Sequence, residues 1–350
     1  MYKTVQIGDV KIGSQLPVFI IAEAGVNHNG DLKLAKDLVL EAKRVGANCV
    51  KFQTFKAESL VAEDAPKAKY QLETTDPQES QLQMLKKLEL RLEDYKELIE
   101  LCQKEEIVFI STPYNTEDVD FLDNLGVSAF KLASIHIAEP YFLQYVARKG
   151  KPMIVSTGMA TLAEVDEAIR AIKETGNEQL IILQCTTNYP SRLEDTNLRA
   201  MQTMQDAFNV IVGYSDHTQT DTACLVSLGL GACVIEKHLT LNKSLPGPDQ
   251  SSSLEPNEFE RLVKSIRETE KVLGSNIKEP CEVEKVNAIG MRRSVFTKCL
   301  IMEGQEITLD MIGLKRPATG ISPQLLPNII GKKARRNLPA NVMIQFSDLV

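Results

Sequence analysis

The sequence predicts a (β/α)8 TIM barrel followed by a small β-rich domain. Short β-branched apolar runs alternate with helix-period stretches from Val18 to about Leu273. Eight such units in roughly 250 residues match the repeat number and size of that barrel. After Leu273 the rhythm stops: Gly274-Ser275-Asn276 closes a helix, and short runs punctuated by Gly and Pro follow.

Ahead of the barrel, Val5-Gln6-Ile7-Gly8-Asp9-Val10-Lys11-Ile12 alternates around Gly8-Asp9. This predicts a two-stranded hairpin that plugs the barrel floor. The expected barrel strands are Val18–Glu23, Cys49–Gln53, Ile107–Ser111, Ala129–Ala133, Met153–Ser156, Leu180–Gln184, Val210–Val212 and Cys233–Glu236. Helices are expected over Leu32–Arg44, Asp94–Lys104, Leu162–Glu174 and Pro256–Leu273, several opened by an Asp, Thr or Glu suited to a first turn. Between Lys56 and Lys87 a long polar connection breaks the pattern, as functional lids do. The domain expectation is a barrel over 1–275, a polar linker over 276–289 and a module over 290–350. That last module is expected to have little core of its own and so to dock on something.

With 350 residues, 43% of them hydrophobic and 25% charged, the chain has ample material for a globular core. A net charge of −7 disfavours a nucleic-acid or membrane-surface partner. The basic run Lys332-Lys333-Ala334-Arg335-Arg336 reads as a solvated face. Seven cysteines without paired spacing indicate reduced thiols, not a disulfide framework or a zinc motif. No signal sequence or 18-residue apolar run is evident, so the expected location is cytoplasmic.

The chemistry sits at the predicted strand ends. Glu23, Lys51, Gln53, Ser111, Thr112, Lys131, Ser134, Ser156, Thr157, Thr186, Thr187, His217, Glu236 and His238 all fall there, where a barrel gathers its site. Two lysines among several hydroxyls suit an anionic substrate, with Lys as a point-charge partner for phosphate. A single histidine in such a position is more often buried and satisfied by a carbonyl. Two, His217 and His238, at equivalent ends of successive strands shift the balance toward a divalent metal whose remaining positions stay open for water and substrate. Lys131 also suits an imine-forming nucleophile. The loop from Glu23 to Gly30 reads either as an Asn-Gly turn or as a mouth placing Glu23 against substrate hydroxyls. His136 is either a pocket or a loop residue on spacing alone.

These motifs resemble the sialic acid synthase (nonulosonate synthase) family. The carriers are Ile21-Ala22-Glu23-Ala24-Gly25-Val26-Asn27-His28-Asn29-Gly30, Val50-Lys51-Phe52-Gln53-Thr54, the run Glu79 to Leu90, Ser111-Thr112-Pro113, Ser156-Thr157-Gly158-Met159, Gly213-Tyr214-Ser215-Asp216-His217-Thr218, Glu236-Lys237-His238, Pro246-Gly247-Pro248-Asp249 and Lys315-Arg316-Pro317. The resemblance implies an antifreeze-like (SAF) module after the barrel and a domain-swapped homodimer in which Arg316 completes the neighbouring site. It implies condensation of phosphoenolpyruvate with an N-acetylated aminosugar, N-acetylmannosamine by default, with release of phosphate. Lys51, Thr112, Lys131, Ser134, Ser156 and Thr187 would hold phosphoenolpyruvate. Glu23, Gln53, Tyr189, Asp249 and Arg316 would face the sugar. His217 and His238 would hold Mn2+, with Mg2+ or Co2+ as alternatives, and Glu23 would transfer protons.

Three departures from the family pattern stand out. Ser134-Ile135-His136-Ile137 occupies the place of a common Ser-Gly-Glu-Ile, Cys185-Thr186-Thr187-Asn188-Tyr189 lacks an asparagine two residues before the tyrosine, and Gln250 stands where His is common. The family also includes legionaminate and pseudaminate synthases, which take 6-deoxy diacetamido sugars, and spore-coat polysaccharide homologues. An imine-forming aldolase using Lys131 and a non-catalytic carbohydrate-binding protein are the readings outside this class.

Overall fold

Two strands, β1 (Thr4–Ile7) and β2 (Val10–Gly13), pair antiparallel around Gly8-Asp9 at the start of the computed structural model, which describes residues 3–350. Gly8 has a φ of +57°, a left-handed turn conformation that favours glycine. Eight barrel strands follow: β3 (Phe19–Gly25), β4 (Cys49–Thr54), β5 (Val108–Pro113), β6 (Phe130–Leu132), β7 (Met153–Ser156), β8 (Leu180–Cys185), β9 (Ile211–Asp216) and β10 (Val234–His238). They form one parallel sheet in the order β5-β4-β3-β10-β9-β8-β7-β6, and β5 and β6 lie side by side so that the ring nearly closes.

Residue parity explains the two cores. Ile20, Val50, Phe130, Val155, Ile182, Val212 and Ile235 face outward and pack under the helices. Their neighbours Phe19, Ile21, Cys49, Ile110, Ala129, Ile154, Ile181, Ile211 and Val234 face inward and form a second cluster with Val5, Ile7 and Ile12 of the hairpin. Strands buried on both faces therefore read as unbroken apolar runs. Two residues beyond the inward apolar layer, the same parity delivers Glu23, Lys51, Thr112, Lys131, Ser156, Cys185, Ser215 and Glu236, all of which line one cavity.

Helix Leu32–Arg44 starts at Asp31, whose side chain accepts from the backbone N–H groups of Lys33 and Leu34, and Leu162–Lys173 starts with a Thr161/Glu164 capping box. β9 and β10 run to Asp216 and His238, past the expected ends at Val212 and Glu236. Their polar residues find partners within the sheet, Tyr214 with Asp216 and Ser215 with Glu236, so the ladder continues where the apolar run stops. The Lys56–Lys87 segment is not a featureless connection. It holds three short helices, Ala57–Leu60, Lys69–Thr74 and Gln81–Lys86. The buried Lys67 ammonium ties it together, donating to Thr75 Oγ1 (2.9 Å), the Asp76 carbonyl (2.7 Å) and Glu79 (3.2 Å).

The chain divides into two compact units after Gly274. In the second, helix Glu282–Met291 occupies much of the stretch expected as a polar linker. Strands β11 (Ser294–Thr297) and β12 (Ile312–Lys315) pair antiparallel. This unit has a real core, contrary to expectation: Val295, Ile301, Ile307, Ile312, Ile329, Leu338 and Ile344 are buried together. Isolated bridges such as Ile301 to Leu338 join single apolar residues from separate turns, so no periodic run announces the core.

Two stability predictions arise from the barrel. A Cβ on Gly213 of β9 would sit 2.5 Å from the Val234 carbonyl oxygen and 2.7 Å from Leu183 Cδ2, with backbone on one side. Gly213→Ala is expected to cost about 3 kcal/mol by overpacking, read as a lower urea midpoint at unchanged slope. His28 is buried against Phe52; its Nδ1 accepts from Gly30 N–H and, among the described residues, its Nε2 has no hydrogen-bond partner. Burial lowers its pKa from 6.5 to about 4, the nearby Gly25 carbonyl and Asp31 offsetting only part of this. Between those values the unfolded chain binds the proton and the native one does not, so stability falls as pH drops from 6.5 toward 4. The His28 share is about 3 kcal/mol, and unfolding measured at both pH values should show it removed in His28→Gln.

Candidate active site

The polar layer encloses a cavity of about 210 Å3 at the carboxyl ends of the strands. Glu23, Lys51, Gln53, Thr112, Lys131, Ser134, Ser156, Thr187, Tyr189, His217 and His238 all line it, as do Tyr70, Tyr114 and Glu236. Asp249 is not among the lining residues, but its Oδ2 lies 3.9 Å from Nδ1 of the lining His238. Arg316 belongs to the second unit, where its Nε donates to the Met291 carbonyl at 3.0 Å. A larger groove, about 770 Å3 around Lys43, Gln103 and Val108, lies by the amino ends of the strands, away from the histidines and both buried lysines.

Two ammonium groups and two carboxylates dominate the cavity. Lys51 Nζ lies 2.9 Å from Glu23 and 3.8 Å from Glu236, and donates to Thr112 Oγ1 at 3.2 Å. Lys131 Nζ donates to Ser156 Oγ at 2.8 Å and sits 3.4 Å from Glu236. Glu236 thus stands between the lysines, and it accepts from Ser215 Oγ at 3.0 Å. Burial pushes the Glu23 carboxyl up to about 7; Lys51 opposes this and Glu236 adds to it. Burial raises Glu236 too, but Lys131 and Lys51 outweigh that and hold it below its ordinary value. For Lys51, burial is overcome by Glu23 and Glu236 and the pKa rises. Lys131 stays lowered: burial exceeds the attraction of Glu236, and Lys51 repels it. One carboxyl therefore changes charge near neutrality beside two cations, a setting for binding an anion and moving a proton.

Next to Lys131 the backbone supplies a cradle. Ser134 Oγ accepts from Gly158 N–H at 2.9 Å, and a Cβ at Gly158 would lie 2.8 Å from that Oγ and closer still to Thr187 Oγ1. Only a glycine lets the two hydroxyls and the backbone N–H converge.

The imidazoles of His217 and His238 meet edge-on with centroids 5.4 Å apart, and the Tyr189 ring lies 4.1 Å from the first and 5.6 Å from the second. His217 Nδ1 donates to the Thr186 carbonyl at 2.7 Å, which leaves Nε2 as an acceptor. Burial and the neighbouring His217 drive the His238 pKa well below its usual value, and among the described residues its Nδ1 has no hydrogen-bond partner. Burial acts the same way on His217, but Cys185, with Sγ 4.0 Å from Nδ1, raises it overall. Among the described residues no group of three or more His, Cys, Asp or Glu is arranged to hold a metal. The pair fits a two-imidazole donor set completed by water or substrate oxygens. His136 does not join it: its Nδ1 pairs with Glu139 at 2.8 Å, its ring lies 4.5 Å from Phe142, and it is absent from the cavity wall.

Comparison with known proteins gives the same architecture a lineage. Residues 38–278 match the NeuB family model. The chain belongs to the NeuB family. Residues 292–350 match the SAF domain, which follows the NeuB barrel here. Over 341 residues the chain is 46% identical to the N,N'-diacetyllegionaminic acid synthase of Legionella pneumophila, covering 96% of each. It is 36% identical over 330 residues to the N-acetylneuraminate-9-phosphate synthase of Homo sapiens, covering 92% of this chain and 90% of that one. The crystal structure of the N-acetylneuraminic acid (sialic acid) synthetase of Leptospira borgpetersenii superposes with a TM-score of 0.74 at 33% identity, over 82% of this chain and 95% of that one.

Two lining residues of this NeuB barrel, Tyr70 and Tyr114, are not legible in the sequence. Glu236 was legible as a strand-end group, and its signal is parity: it lies two residues before His238 and two after the inward Val234. Tyr70, its ring tilted against Tyr189 with centroids 5.1 Å apart, and Tyr114, donating to Gln53 Oε1 at 3.0 Å, carry no local signal.

Proposed function

We propose that this chain is a nonulosonate synthase condensing phosphoenolpyruvate with a 6-deoxy diacetamido hexose, as a legionaminic acid synthase does. The observation that carries the acceptor is identity across nearly the whole chain: 46% and 45% to two legionaminic acid synthases, from Legionella pneumophila and Campylobacter jejuni, against 36% to the human neuraminate-9-phosphate synthase. The cavity rim agrees with a sugar bearing a methyl group. Ile135 and Met159 line it while 46% and 69% exposed, offering apolar surface rather than hydroxyl partners. N-acetylmannosamine is the second acceptor of this reading.

In this scheme Lys51, Lys131, Thr112 and Ser156, with the cradle of Ser134, Gly158 and Thr187, hold the carboxylate and phosphate of phosphoenolpyruvate. Gln53, Tyr189 and Asp249 orient the open-chain sugar. The methylene carbon of phosphoenolpyruvate bonds to the aldehyde carbon, and Glu23 passes a proton to the oxygen that becomes a hydroxyl. Water then adds to the carbon bearing phosphate, returning one proton to Glu23; the carbon–oxygen bond to phosphate breaks and the second proton leaves on the phosphate, giving the 2-keto acid and inorganic phosphate. His217 and His238 would hold Mn2+, Mg2+ or Co2+, which when bound supplies Lewis-acid polarisation of the aldehyde. A homodimer in which a second copy lends Arg316 to the acceptor, and a cytoplasmic location, belong to the same proposal.

Phosphate release from phosphoenolpyruvate with each acceptor tests the reading. The 6-deoxy diacetamido sugar is expected to give the highest kcat/KM, and chelator followed by Mn2+ to abolish and restore turnover. No release with any aminosugar overturns the proposal. The lowered pKa of Lys131 also suits an imine route; borohydride added during turnover should leave the chain mass unchanged, and a trapped adduct would favour the aldolase.

A further inference from the structure

On the side of the sheet facing the helices lies a second buried polar cluster, none of whose residues lines the cavity. β9 and β10 pair so that Ser215 stands opposite Glu236 and Asp216 opposite Lys237. Parity turns the first pair into the cavity and the second away from it, toward helix Thr222–Gly229. Asp216 is saturated. Its Oδ1 accepts from Thr218 N–H (2.8 Å) and Tyr214 OH (3.0 Å), and its Oδ2 accepts from Lys237 Nζ (2.6 Å), Thr218 Oγ1 (3.2 Å) and Cys224 Sγ (3.1 Å). Lys237 also donates to the Thr218 carbonyl.

The residues on both sides of His217 are thereby tied to the residue before His238. We propose that the Asp216–Lys237 ion pair is a positioning device that sets the separation of the two imidazoles. The inference rests on the reading of His217 and His238 as metal-holding residues. Asp216 and Lys237 are both almost fully buried, and a buried ion pair is a poor source of net stability compared with an apolar pair of the same size. What it does supply is geometry. A five-bonded carboxylate and an ammonium shared between a side chain and a carbonyl hold the strand end and the following turn in one arrangement. The β9–β10 ladder and the Ser215–Glu236 bond also join the two segments, further back along the strands, while His217 Nδ1 donates to Thr186 and the His238 carbonyl accepts from Leu254 N–H. The Asp216–Lys237 pair stands at the last register of that ladder, each member adjacent in sequence to one of the two histidines.

The test measures Mn2+ binding to the full chain without substrates, from the electron paramagnetic resonance signal of the free ion. Wild type, His217→Ala, Asp216→Asn and the double variant Asp216→Asn/Lys237→Met are compared. The double variant removes both charges and so avoids an orphaned ion. If it fails to fold, Asp216→Asn, nearly the same shape, decides. In the variants that unfold cooperatively, Mn2+ is expected to bind roughly 10- to 100-fold more weakly, the usual effect of losing support around a ligand. Phosphoenolpyruvate affinity, set by Lys51 and Lys131, should change far less. A merely structural role would lower the unfolding midpoint and leave the Mn2+ affinity unmoved, and that result overturns the proposal while His217→Ala still loses the metal. If His217→Ala binds Mn2+ as wild type does, the metal reading itself has failed and the positioning role fails with it.

Discussion

Gly158→Ala is expected to raise the KM for phosphoenolpyruvate by two to four orders of magnitude while leaving the acceptor KM and the fold nearly unchanged. The added Cβ would stand 2.8 Å from Ser134 Oγ and closer to Thr187 Oγ1, filling the space where two hydroxyls and a backbone N–H converge. Gly158 is not among the positive-φ glycines, so the substitution carries no backbone strain of that kind. Each hydrogen bond to a charged group contributes about 1.5–3 kcal/mol, so losing two amounts to roughly a 10²- to 10⁴-fold change. Initial-rate kinetics varying each substrate in turn separates the two KM values. An unchanged value for phosphoenolpyruvate would move the phosphate to another part of the cavity.

Glu236→Gln is expected to destabilise the empty protein and to gain more from a bound anion than the wild type does. Glu236 stands 3.8 Å from Lys51 Nζ and 3.4 Å from Lys131 Nζ, all three buried. Removing its charge leaves Lys131 without a carboxylate at that distance and lets the two ammonium groups repel. Breaking a buried pair costs about 3–5 kcal/mol. Phosphoenolpyruvate would return negative charge to the same place. The expected pattern is a lower thermal midpoint without ligand, a larger upward shift on adding phosphoenolpyruvate, and a kcat reduced because Glu23 and the lysines lose their arrangement. Thermal unfolding with and without the ligand checks the sign: an equal or smaller shift than in wild type shows that Glu236 does not balance the lysines.

Both experiments concern groups of differing legibility. Helices Leu32–Arg44 and Pro256–Leu273 have the bounds expected from their period and caps, because those signals are local. The strand ends were harder. β9 continues through Tyr214, Ser215 and Asp216 since partners on β10 and in the next turn satisfy their polar atoms, and a reading by apolar runs stops too early. The core of the second unit was missed for a related reason: Val295, Ile301, Ile312 and Ile344 come from separate short segments with no repeat between them.

By itself the sequence determined the barrel and its inward polar layer. Eight apolar runs with period-2 parity dictate which side chains point inward, and Glu23, Lys51, Lys131, His217 and His238 carry that parity wherever the strands stand in the ring. Tertiary structure alone decided who meets whom. It put Glu236 between Lys51 and Lys131, closed Gly158 against Ser134 and Thr187, brought Tyr70 onto Tyr189 and turned His136 toward Glu139 and Phe142. Parity is a property of neighbours along the chain, whereas these meetings depend on strand order, register and loop paths that join residues far apart in it.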